Sequence, residues 1–271
     1  IVAGALAGAK LLWSETSELL LILVTAAILA FGLLNATLLI GPWSWFFQRR
    51  FVRLLKYRRH VGVSSLLLAE VHVNIVLAAY YSYQVPFALL IPANVFGATA
   101  LSIMALLGLT SWDFAQRKIT LRWWNIIHLL GLVSYCGLLT VAFWQPSTTF
   151  TLWERLTLLG VIVYWLLLTP AVASRLLHRT VNGWKQLHLL VYAAYAAVVI
   201  HIWTGVVVER SLIIQIIFWT PVMFVVGTHL TGRWMRWRWQ VAQRKNVGLT
   251  PTPPATPSSP ELKNHQPPAT T

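Results

Sequence analysis

Residues 184–208 read Trp-Lys-Gln-Leu-His-Leu-Leu-Val-Tyr-Ala-Ala-Tyr-Ala-Ala-Val-Val-Ile-His-Ile-Trp-Thr-Gly-Val-Val-Val. After Lys185 the stretch has no Asp, Glu, Lys or Arg. As a helix it rises about 1.5 Å per residue, long enough to cross a hydrocarbon core of about 30 Å. It reads as a transmembrane helix with two histidines inside it, His188 and His201. An ionisable side chain is costly in the bilayer and by default marks a functional path.

Six more apolar stretches lie around it, at 19–40, 61–83, 87–109, 123–144, 156–174 and 212–230. Hydrophobic residues make up 57% of the chain and charged residues 10%, against roughly 25% charged in a soluble domain. The fold class expected is therefore an all-α membrane protein, a bundle of about seven transmembrane helices. Tyr83–Pro86 is a very short turn, which implies an antiparallel helical hairpin. The net charge of +14 would suggest nucleic acid if it were evenly spread. Instead the basic residues cluster in a few loops beside apolar runs, so the lipid bilayer is the partner and nucleic acid is not. The lone cysteine, Cys136, excludes an intramolecular disulfide and argues against a thiolate-bound cluster.

Arg49, Arg50, Arg53, Lys56, Arg58 and Arg59 lie between the first two spans. Arg117, Lys118 and Arg122 fill the third connection; Arg175, Arg179 and Lys185 the fifth; Arg233, Arg236, Arg238, Arg244 and Lys245 follow the last span. The alternate connections hold only Lys10, Arg155 and Arg210, together with Glu15, Glu18, Glu154 and Glu209. The basic set belongs in the cytoplasm, which puts the N-terminus outside and the C-terminus inside. The organisation read from this is an outside segment at 1–18, the bundle at 19–230, a basic, Trp-rich interfacial segment at 231–250 and a disordered Pro/Thr-rich tail at 251–271. The chain opens at Ile1 rather than Met, which leaves a leader or a further helix before it open.

Trp124-x3-His128-Leu129-Leu130-x4-Tyr135 recurs as Trp184-x3-His188-Leu189-Leu190-x4-Tyr195, as though a helical hairpin had been duplicated. Four histidines sit deep in spans, His72, His128, His188 and His201, all on the even helices, which run in the same direction. Haem b takes two axial ligands from facing helices, and neutral imidazole suits that role. A lone membrane histidine is as easily an interhelical hydrogen bond; four on parallel helices weigh against that. His188 and His201 are 13 residues apart, a rise of about 20 Å but about 140° apart around a regular helix. They then face different partners, or the helix bends. His60 and His229 lie at helix ends and are expected only to face headgroups, while His178 falls in a loop and His265 in the tail.

Arg58-Arg59-His60-Val61-Gly62-Val63 followed by His72 resembles the Arg-Arg-x-Leu-Gly-(9 residues)-His element of the ferric-reductase-like transmembrane family. That family includes YedZ-like haem-binding membrane subunits and the membrane part of NADPH oxidases. Trp184-Lys185-Gln186-Leu187-His188, with Tyr192 and His201, resembles its Trp-x2-Leu-His-x3-Tyr-x8-His element. Thr110-Ser111-Trp112-Asp113-Phe114 resembles a run in relatives associated with Rieske proteins. The resemblance implies one haem b on His72 and His201, with His188 in a second site nearer the cytoplasm. His128, near the same depth as His188, is the candidate second ligand there. Val141 stands where the first repeat needs another histidine, and the second span has one deep histidine where the oxidase branch has two. Arg58 and Arg59 are candidates to pair with haem propionates, against the plainer reading in which loop arginines set topology. The resemblance further implies a bacterial cytoplasmic membrane and a separate redox partner, a periplasmic reductase or a Rieske-type protein.

No Gly-rich dinucleotide fingerprint follows a strand, so an electron donor must be a separate protein, a free flavin or a quinone. Glu70, with Asn74 on its face, is either a proton or quinone contact or, preferably, an interhelical hydrogen bond. A retinal-type receptor is excluded because the last span has no lysine for a Schiff base. Besides a b-type cytochrome subunit, a non-redox scaffold that keeps a cytochrome-like bundle stays open, as does cytochrome b561-like quinol oxidation.

Overall fold

A computed structural model describes residues 18–47, 52–144, 150–177 and 182–247. Among these residues there is helix and no strand. In lipid a backbone must satisfy its polar groups within its own segment, and these apolar runs can do so only as helices. In order they are α1 (Glu18–Phe46), a 3₁₀ turn (Val52–Tyr57), α2 (Arg58–Tyr81), α3 (Val85–Ala88), α4 (Pro92–Leu109) and α5 (Asp113–Lys118). There follow α6 (Leu121–Trp144), α7 (Leu152–Leu168), α8 (Pro170–Leu177), α9 (Gly183–His188), α10 (Val191–Ile202), a π turn (Trp203–Val207) and α11 (Leu212–Val247). Six helical stretches are long and apolar enough to cross a bilayer, and α7 with α8 makes a seventh if that bent pair is one broken span.

Local chemistry sets the boundaries. The reversal after α2 uses two consecutive left-handed residues, Ser82 (φ 47°) and Tyr83 (φ 62°), neither of them glycine. The third span starts at Pro92 rather than 87, because Ile91 is held extended before proline and Pro92 then opens the helix. The fifth span starts earlier than 156, since the Glu154 carboxylate accepts both the backbone N–H (2.8 Å) and the hydroxyl (2.7 Å) of Thr151. It is also not continuous. Thr169 is extended ahead of Pro170, α7 and α8 meet at 72°, and the Ala171 N–H is taken by Asn125 Oδ1 at 2.9 Å.

The core draws on the first span and on the third to sixth: Leu38, Phe96, Ile103, Tyr135, Leu158, Trp165 and Leu187 are each at most 1% exposed. Gly131 lets Trp165 in, since a Cβ there would sit 2.7 Å from its ring. By contrast, α2 has one fully buried residue, Ser65, whose hydroxyl donates to Ala30 O at 2.7 Å. It packs on α1 and leaves its remaining faces partly open. Large apolar side chains such as Leu129, Leu130 and Val133 are exposed, as a surface solvated by lipid tails requires.

This bundle closes at His229 as one compact unit, and residues from Leu230 form another. The described part of the second unit is helical to Val247 and exposes Trp234, Trp237 and Trp239, with Arg238 stacked over Trp234 at 4.9 Å. The tail at 251–271 and the segment at 1–17 lie outside the described residues.

Candidate functional site

Three of the four deep histidines share one hydrogen-bond arrangement. His72 Nδ1 lies 3.2 Å from Leu23 O, His201 Nδ1 lies 2.7 Å from Ala93 O, and His188 Nδ1 lies 3.0 Å from Trp184 O. A carbonyl only accepts, so each Nδ1 carries the proton and each Nε2 keeps its lone pair. A backbone carbonyl holding the far ring nitrogen is how metal-binding imidazoles are oriented.

His128 lacks this arrangement. It is fully buried, and its ring abuts the Gly183 backbone without closing a hydrogen bond at either nitrogen. The two repeat copies pack closely here: a Cβ on Gly183 would fall 2.5 Å from Trp124 Cβ. The repeat is not carried into equivalent sites. Tyr135 donates to Leu158 O at 3.2 Å, whereas Tyr195 donates to Asn35 Oδ1 at 2.8 Å. Likewise α6 runs through unbroken where α9 gives way to α10.

That break lies between His188 and His201. Leu189, Leu190 and Tyr192 donate to carbonyls three residues back, a 3₁₀ pattern that winds about 120° per residue instead of about 100°. Three such steps add about 60°, which closes the separation of the two rings from about 140° to about 80°. Just past His201 the helix widens into the π turn, with Val208 N–H on Trp203 O at 3.0 Å. On α2, Arg58 and His72 are 14 residues apart, hence within about 40° of one face and about 21 Å apart along it.

The result is two tiers. The upper one holds His72, anchored on Leu23 O, and His201, anchored on Ala93 O. Gly97 on α4 makes room for the His201 ring: a Cβ there would lie 3.1 Å from Cε1 and Nδ1. In the lower tier, His188 and Arg58 line the same cleft. The His188 Nε2 faces Ser111 Oγ at 3.2 Å, although that hydroxyl also donates to Leu107 O. A cleft of about 600 Å³ opens here, lined by Arg58, Arg59, Ser111, His188 and Tyr192 among others, and not by His128.

Arg58 Nε donates to Thr37 O at 3.1 Å. Arg59 Nη1 donates to Ser111 O at 3.0 Å and pairs with Asp113 at 2.6 Å, tying the Thr-Ser-x-Asp-Phe run to α2. His229 departs from the headgroup expectation. Its Nε2 donates to Leu38 O at 3.0 Å, and Tyr192, a cleft residue, meets its ring edge-on at 5.4 Å. The signal was present in the sequence: Phe218, Val222, Val225 and His229 follow a helical i, i+4, i+7, i+11 stripe whose first three members are buried. His60 is exposed, as expected, while His178 and His265 lie outside the described residues. Asn74 bonds the backbone of Glu70 at 2.9 Å rather than its carboxylate.

An all-helical membrane bundle with carbonyl-anchored histidines inside its spans suits a membrane redox component. Residues 26–139 match the family model of the ferric reductase like transmembrane component. That stretch is thus similar to a ferric-reductase-like transmembrane component, in line with the arginine–glycine–histidine element it contains. No curated protein matches the chain, and no solved structure does.

The residues present fit a haem b. Among the described residues no group of three or more His, Cys, Asp or Glu comes together. An axial pair is what an iron already held by four porphyrin nitrogens needs.

Proposed function

We propose that the chain is the membrane-embedded b-type cytochrome subunit of an oxidoreductase, passing electrons across or within the bilayer to a separate redox partner. The observation that carries this reading is the pair His72 and His201. Each has Nδ1–H on a backbone carbonyl and an Nε2 lone pair left for iron. Haem b would supply a one-electron iron couple held within the membrane. One bis-histidine haem is the reading the lower tier favours, because Arg58 and His188 line one cleft and His128 does not line it. In this reading the C-terminus and the cleft face the cytoplasm across a bacterial inner membrane, an orientation that the basic loops support. There a soluble protein, a flavin or a quinone delivers the electrons.

An absorption spectrum of the purified chain with haem counted per polypeptide tests this. The expected result is one low-spin haem b, lost in His72→Ala and in His201→Ala. Full haem with an unchanged spectrum in both variants refutes the assignment, and a haem-free wild type favours a scaffold.

A further inference from the structure

Between positions 60 and 78 of α2 the exposed residues are His60, Ser64, Leu67, Val71, Asn74 and Ala78. Their spacing alternates between four and three, the seam of a left-handed coiled coil, with Ser64, Val71 and Ala78 at a positions and Leu67 and Asn74 at d. We infer that this face is the contact between two copies of the chain, packed in parallel about a two-fold axis normal to the membrane, with Asn74 hydrogen-bonded to its own counterpart across the axis.

The composition of the face sets it apart from a surface solvated by lipid. On α7 the exposed positions include Leu156, Leu159, Val163 and Leu166, all large and apolar. The seam on α2 mixes small and polar residues with Leu67 and Val71, and contacts between membrane helices are enriched in such residues. The span that contains α2 is 6% buried, against 17% to 44% for the other unbroken spans, so it has the most surface to offer.

Asn74 decides the occupant. Elsewhere in the spans Thr140, Thr157 and Thr220 return their hydroxyls to the carbonyl four residues back, each within its own helix. An amide carries two N–H donors and an acceptor. Asn74 Nδ2 donates to Glu70 O at 2.9 Å, which leaves a second N–H and Oδ1 on the outward face, where hydrocarbon offers them nothing. Two copies inserted in the same sense meet at equal depth, so each seam residue faces itself. An amide is self-complementary in that arrangement, and one Asn on a seam fixes register in this way. The 24 residues of α2 make a strip about 36 Å long and about 10 Å wide, or about 360 Å² per copy. A stable soluble interface takes about 800 Å² per partner, so this contact is reversible and leans on the amide pair. His72 lies more than about 100° around the helix from the seam and is held on Leu23 O, so the contact does not disturb it.

The test uses the full chain carrying Cys136→Ser, reconstituted in liposomes. Leu67→Cys and Val71→Cys should each give a disulfide-linked dimer on mild oxidation, while Val133→Cys and Val163→Cys, exposed on α6 and α7, should not. Energy transfer between donor-labelled and acceptor-labelled copies should fall as lipid is added. Asn74→Leu should weaken association about 5- to 30-fold, the worth of one interhelical hydrogen bond in model helices, and Asn74→Gln should keep part of it. Asn74 is exposed, so the substitution should leave the circular dichroism spectrum unchanged. Equal cross-linking at all four positions would mean random collision and overturns the proposal. So does an absence of energy transfer at every dilution, which would leave the face to lipid or to a helix of another protein. Unchanged association in Asn74→Leu overturns it as well.

Discussion

Gly97→Ala is the sharpest test of how His201 is held. Ala93 and Gly97 are one turn apart on α4, so the carbonyl that fixes the ring and the gap that admits it belong to one notch. An alanine Cβ would lie 3.1 Å from Cε1 and Nδ1 and 3.3 Å from Cγ of His201, so the ring must retreat by a few tenths of an ångström. The 2.7 Å bond from Nδ1 to Ala93 O resists that retreat. Overpacking of this kind costs about 1–3 kcal/mol, or about 5- to 150-fold in haem retention if the strain falls on the liganded ring. Haem retained per chain during dilution against apomyoglobin, with the low-spin spectrum followed in parallel, measures it. Gly137→Ala is the control. Nothing lies within 4 Å of a Cβ there, so it should keep its haem and gain roughly 0.5–1 kcal/mol from helix propensity. If Gly97→Ala behaves like Gly137→Ala, the notch does not position His201 and the reasoning fails.

Other outcomes follow from the same geometry. His128→Leu should keep haem content and spectrum and lower stability by no more than about 1 kcal/mol, since it removes two buried nitrogens that make no hydrogen bond; a fall in haem count would restore His128 as a ligand. Asp113→Asn should change thermal stability by less than about 1 kcal/mol, because the Arg59 pair is 37% and 67% exposed; a large loss in detergent melts would show that the loop clamp is stronger than its exposure allows. Reporter fusions at 145 and 245 should report opposite sides of the membrane, and the same side for both would refute the topology.

The apolar stretches, and the helical setting of His72, His188 and His201 within them, were legible in the sequence, because burial in lipid is counted along consecutive residues. The break at Thr169–Pro170 was half legible: the proline was visible, while its 72° bend and the Asn125 cap depend on a neighbouring helix. Which way each histidine ring turns was decided only by tertiary structure. An angle around a helix sums over every residue between two points, and three 3₁₀ steps between His188 and His201 are enough to move a side chain to another face. His128 and His188 carry the same local motif, yet one is sealed and the other opens on a cleft. The two copies meet where Gly183 packs on Trp124, a contact between residues 59 apart in the chain. Hydropathy is additive along the chain and can be read from it; close approach between helices is a property of pairs, and only the packed bundle specifies it.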